Sequence, residues 1–135
     1  MIDDEQRETN SYVDELRFSG YQVQFERDTD RAIQYLKNHL AEIELLILDI
    51  MMPPGQTLAK ADTRNGLRTG VQLYALIREF APDLPVLVLT NVSDHAVEEK
   101  LTRSANCRYL RKEDHLPFEL VEEIRQFLTS YTTGA

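Results

Sequence analysis

One cysteine, Cys107, stands in a chain of 135 residues, so no internal disulfide can hold the fold. That usage fits a reducing compartment and argues against a small disulfide-stapled secreted scaffold. Basic residues are also in short supply, 15 against 23 acidic ones, for a net charge of −8. A uniformly acidic surface is poorly suited to binding nucleic acid or an anionic membrane by itself. The first residues, Met-Ile-Asp-Asp-Glu, offer neither a basic n-region nor an apolar h-region, so no signal peptide is expected there. The longest apolar stretch, Leu45 to Met52, is interrupted by Asp49 and is too short to span a bilayer. The cytoplasm is the expected location. There is no internal repeat, low-complexity tract or long linker, and His39, His95 and His115 lack metal-ligand spacing.

What is present is an ordinary globular balance, 42% hydrophobic and 28% charged. A chain this long buries roughly 68% of its unfolded surface, enough for one core without staples. Helical and extended patterns alternate. Residues 5–18 carry a partial stripe, Tyr12, Val13, Leu16 and Arg17, and Gly20 stands where a helix stops. Tyr21 to Phe25 alternates with period two, the pattern of a half-buried strand. Thr29 or Asp30 would cap a helix bearing Ala32, Ile33, Leu36 and Leu40. Leu45 to Leu48 and Val86 to Leu89 are short, wholly apolar runs, as in strands buried on both faces. Between them lie a loop, Met51 to about Thr69, and a helix, Val71 to Phe80. Ser93 or Asp94 would cap a helix through Leu101, a strand follows at Cys107 to Leu110, and Asp114 would cap a last helix with Pro117 in its first turn.

This order predicts an α/β protein built from right-handed βαβ units. Its ligand site should lie beyond the carboxyl ends of the strands. Asp3 and Asp4 follow the apolar pair Met1-Ile2, Asp49 follows Leu48, Thr90 follows Leu89, and Lys112 stands just beyond Leu110. Three carboxylates on one rim raise one another's pKa, and a hard divalent cation such as Mg²⁺ relieves that. Thr90 offers a hydroxyl donor and Lys112 a point positive charge. Such a set can position and neutralise a phosphoryl group, with Asp49 as the nucleophile. Each member also has a plain structural explanation: an acidic first turn, a turn carboxylate, a β-branched strand residue, a surface lysine.

The chain resembles the receiver domain of bacterial two-component response regulators, of CheY-like, flavodoxin-like fold. The matching residues are Ile2-Asp3-Asp4-Glu5, Leu46 to Pro53, Val86 to Thr90 and Tyr109 to Lys112, with Asp4, Asp49, Thr90 and Lys112 separated by 45, 41 and 22 positions. The resemblance implies a doubly wound five-stranded parallel sheet of order 2-1-3-4-5 with helices on both faces. It implies a receiver domain over 1–129 and a C-terminal tail over 130–135. A histidine kinase or phosphotransfer protein would phosphorylate Asp49. Asp4, Asp49 and the Met51 carbonyl would hold Mg²⁺, with Asp3 assisting through water. Thr90 and Tyr109 would act as the switch. The domain would be a phosphoacceptor that assists its own phosphorylation and dephosphorylation, not a turnover enzyme, and a homodimer stays open.

The alternative is a receiver-like interaction module that works without phosphorylation. An aspartyl phosphatase is disfavoured, because Met51 stands where a second acid would serve as acid/base. Four departures from the family pattern stand out, the first being an unusually short first strand, reduced to Met1 and Ile2. Glu113 replaces the proline after Lys112, so a trans peptide is expected there. Asn91 replaces a small residue. The loop after Pro53 is longer, and residues 56–65 should be dispensable for folding. The apolar pair Met51 and Val92 should slow loss of the phosphoryl group.

Overall fold

A computed structural model describes residues 1–3, 6–50, 67–91 and 94–133. In chain order they form α1 (Gln6–Phe18), α2 (Thr29–His39), β1 (Leu46–Leu48), α3 (Leu67–Phe80), β2 (Val86–Thr90), α4 (His95–Thr102), β3 (Cys107–Arg111) and α5 (Pro117–Thr133). Among the described residues the sheet has three parallel strands in the order β1-β2-β3.

Of the five expected strands, three form as regular strands among the described residues. Tyr21 to Phe25 forms no regular strand, despite its alternating pattern. In place of two further strands there are two single parallel bridges, Ile2 to Leu48 and Ile2 to Glu26. Ile2 donates its N–H to the Ile47 carbonyl at 2.8 Å, and its own carbonyl accepts from Asp49 N at 2.9 Å. On the other side Asp3 N donates to Glu26 O at 3.1 Å, and Glu26 N donates to Met1 O at 2.9 Å. A segment this short supplies no ladder along which Tyr21 to Phe25 could extend. Backbone polar groups that lack a ladder partner must find other acceptors or water.

Period-two geometry divides the core. Leu46, Leu48, Val86 and Val88 face one side of the sheet, with Ile33, Leu36, Leu73 and Ile77 of α2 and α3. Ile47, Leu87 and Leu89 face the other, with Tyr12 and Leu16 of α1 and Leu120, Ile124 and Phe127 of α5. Both faces are covered, which is why β1 and β2 read as unbroken apolar runs. Arg17, placed on the buried stripe by spacing, is exposed and donates to Val23 O at 3.0 Å.

The helix ends follow local chemistry. α1 stops at Gly20, φ 99°, where Gly20 N bonds Arg17 O and Tyr21 N bonds Leu16 O, a Schellman closure. Asp28, rather than Thr29 or Asp30, caps α2 by accepting from Arg31 N at 3.0 Å. Asp94 caps α4 through Val97 N at 3.1 Å. Asp114 does not cap α5, because it lies in a 3-10 turn, Lys112–Asp114. Glu119 instead reaches back to Leu116 N at 2.8 Å, half of a capping box around Pro117. α3 begins at Leu67, ahead of the expected Val71, and α5 runs to Thr133.

Candidate functional site

The carboxyl ends of the strands bring together most of the residues singled out from the sequence. The bond from Asp49 N to Ile2 O sets Asp49 beside Asp3, which directly follows Ile2. The β2–β3 register pairs Thr90 with Arg111, so Lys112 is the next residue along the rim. The Lys112 ammonium lies 2.7 Å from Asp3 Oδ2 and 3.2 Å from Asp49 Oδ2. Asp3, Asp49, Thr90 and Lys112 are all buried. Two carboxylates thus share one cation away from bulk water.

A buried carboxylate is strongly disfavoured unless it is paired and hydrogen-bonded, and the lysine meets that need. Burial by itself would lower the Lys112 pKa, but the bond to Asp3 and the charge of Asp49 outweigh it and raise the pKa above the ordinary lysine value. The ammonium is therefore charged at neutral pH.

Tyr109 pairs in register with Val88 and is half-buried against the α3 and α4 side of the core. Burial, with the nearby charges of Glu98, Asp94 and Asp49, pushes its phenol up to about 12, so it stays protonated. Asn91 is exposed. Asp4, Met51 and Val92 lie outside the described residues, as does the 56–65 segment. Among the described residues no group of three or more His, Cys, Asp or Glu side chains could hold a metal ion.

Three residues that support this rim escaped the sequence reading. Gly70 lies in the first turns of α3, and its N–H donates to Ile50 O at 3.0 Å. A Cβ there would overlap the backbone of Ile50, one residue after Asp49. Tyr12, read as a core residue, also reaches the turn after β3 with its hydroxyl. His115, set aside from the sequence for want of metal-ligand spacing, is half-buried with Nδ1 3.1 Å from Arg111 O. Distance along the chain hid Gly70 and Tyr12, since no local pattern marks a contact between residues 50 and 70 or 12 and 112.

Comparison with solved structures gives the same fold. A receiver domain protein from Methanospirillum hungatei JF-1 superposes with a TM-score of 0.76 at 19% identity, covering 99% of this chain and 94% of that one. The beryllofluoride-activated NtrC4 receiver domain dimer gives 0.74 at 22% identity, covering 96% and 94%. The receiver domain of NtrX from Brucella abortus gives 0.73 at 19% identity, covering 96% of each chain. No curated protein sequence matches significantly. Residues 1–125 match the response regulator receiver domain family, and the chain belongs to that family of two-component signalling domains.

Proposed function

We propose that Asp49 accepts a phosphoryl group from a histidine kinase or phosphotransfer protein, and that the domain signals by the change of shape that follows. The observation that carries this reading is the single ammonium of Lys112 held between Asp3 and Asp49 at the end of the sheet, 2.7 and 3.2 Å away. An oxygen of Asp49 attacks phosphorus, the bond from phosphorus to the donor breaks, and an acyl phosphate forms. Lys112 is placed to offset charge on the transferring group. Thr90, at the end of β2, supplies a hydroxyl near the same rim.

The donor set suits a hard cation. Asp3 and Asp49 are buried oxygen donors, which favours Mg²⁺ over softer metals. We assign Asp4, Asp49 and the Met51 carbonyl as its ligands, with Asp3 acting through water. When bound, the ion would offset phosphoryl charge. Thr90 and Tyr109 form the proposed switch, in the receiver domain 1–129. The dimer reported for the NtrC4 receiver makes self-association worth measuring here. No helix among the described residues is long and apolar enough to cross a membrane, and the cytoplasm is the proposed location.

Incubation with Mg²⁺ and acetyl phosphate, followed by intact mass, tests the assignment. One phosphoryl adduct, lost in Asp49→Asn, is the expected result. An unmodified wild type would favour an interaction module that works without phosphorylation.

A further inference from the structure

Tyr12 sits on α1 with its ring in the cluster that includes Leu16, Leu120 and Ile124. Its hydroxyl leaves that cluster toward the turn after β3. It lies 2.9 Å from the Lys112 carbonyl and 2.9 Å from the His115 carbonyl. A phenol has one proton to donate, so the two acceptors share it. Burial raises the Tyr12 pKa, against a weaker pull from Lys112, so that proton is retained at neutral pH. The two carbonyls bracket the 3-10 turn, whose other closures are longer: His115 N to Lys112 O at 3.3 Å and His115 Nδ1 to Arg111 O at 3.1 Å. Glu113 and Asp114 on the outer side of the turn are exposed, while Lys112 is buried.

Lysine carries its charge on a flexible four-carbon stem. Where the ammonium rests therefore depends on how firmly the backbone at its root is held. We propose that Tyr12 is a positioning residue: its hydroxyl pins the Lys112–His115 turn to α1 and so holds the Lys112 ammonium on Asp3 and Asp49. The inference rests on the reading of Asp49 as phosphoacceptor for its consequence in rate, and on geometry alone for the tether. It also supplies a rigid root for Lys112 in a chain that has Glu113 where the family pattern has proline.

Tyr12→Phe removes the hydroxyl and keeps the ring in the core. Phosphorylation by acetyl phosphate in Mg²⁺ should slow about five- to tenfold, the loss expected for one net hydrogen bond. In a Lys112→Met background the same substitution should change the rate little, because the hydroxyl acts through Lys112. An unchanged rate in Tyr12→Phe, or equal slowing in both backgrounds, would overturn the proposal. A second readout needs no phosphorylation. In metal-free protein, NMR signals of the Lys112 side chain should move toward free-lysine positions in Tyr12→Phe, with most core amide shifts unchanged. Unmoved Lys112 signals would refute the tether. Lys112 signals that move in Tyr12→Phe, together with a wild type that takes no phosphoryl group, would refute the Asp49 reading and leave the tether standing.

Discussion

The two ends of the sheet, only a few residues apart along each strand, are built very differently. At the carboxyl end Ile2 is bonded on both sides, to Ile47 and Asp49 and, through its neighbours, to Glu26, and charged groups converge on the rim. At the amino end, where the same line of chain would continue, there is a cavity of about 690 Å³ bordered by Leu16, Val23, Gln24, Leu45 and Ile47. The Met1 ammonium lies at the edge of that cavity and donates to Gln24 O at 2.7 Å, where the next ladder bond would fall. The contrast shows which part of the first strand the site requires. One residue of pairing suffices to set Asp3 beside Asp49, whereas filling the core under Tyr21 to Gln24 would take several more.

The sharpest way to break the comparison is at Gly70. Gly70→Ala should destabilise the fold by about 4 kcal/mol, because backbone cannot shift as a flexible side chain can. The denaturant midpoint measures it, and a loss under about 1 kcal/mol would mean that α3 does not pack as closely on Ile50 as described.

Next in size is Lys112→Met, which leaves Asp3 and Asp49 buried without their shared cation. In metal-free buffer near neutral pH the expected loss is about 3 kcal/mol. It should shrink in acid, where the carboxylates take up protons, and Asp3→Asn in the same chain should recover part of it. For the wild type, the raised Lys112 pKa means that its contribution is fully present below the ordinary lysine range and disappears as pH climbs through the folded value. Urea melts at several pH values separate these outcomes.

The smallest effect belongs to the other end. Appending four β-branched residues ahead of Met1 should extend the ladder into the cavity and raise the melting temperature by about 5 °C. Prolines in the same places should not, because they cannot donate to a ladder. An equal response to both would mean that the cavity does not accept a strand. Acetylation of the Met1 nitrogen sharpens the same point. Loss of solvation lowers that ammonium to about 5, against the charges of Glu26 and Asp3, from an ordinary 8.0. The unfolded chain then binds the proton more readily, so stability should rise from about pH 5 to 8. Met1 is only half-buried, so the slope is modest, and acetylation should flatten it. A slope unchanged by acetylation would assign it to other groups.

The sequence by itself determined the two apolar strands, β1 and β2, because a strand buried on both faces must be apolar at every position. It also determined where chemistry should sit. A carboxylate, a threonine and a lysine placed just beyond apolar runs are local patterns, and strand ends in an α/β sheet share one rim. Tertiary structure alone decided the rest. Tyr21 to Phe25 has the alternation of a strand, yet a strand exists only where a neighbour offers a ladder, and Ile2 offers a single residue of one. Gly70 and Tyr12 became part of the site's support through contacts with Ile50 and Lys112. Those contacts span 20 and 100 positions. Periodicity is set by neighbours a few positions apart along the chain. A steric limit between two backbones, or a hydroxyl reaching a distant carbonyl, comes into being only once packing has brought the two segments together.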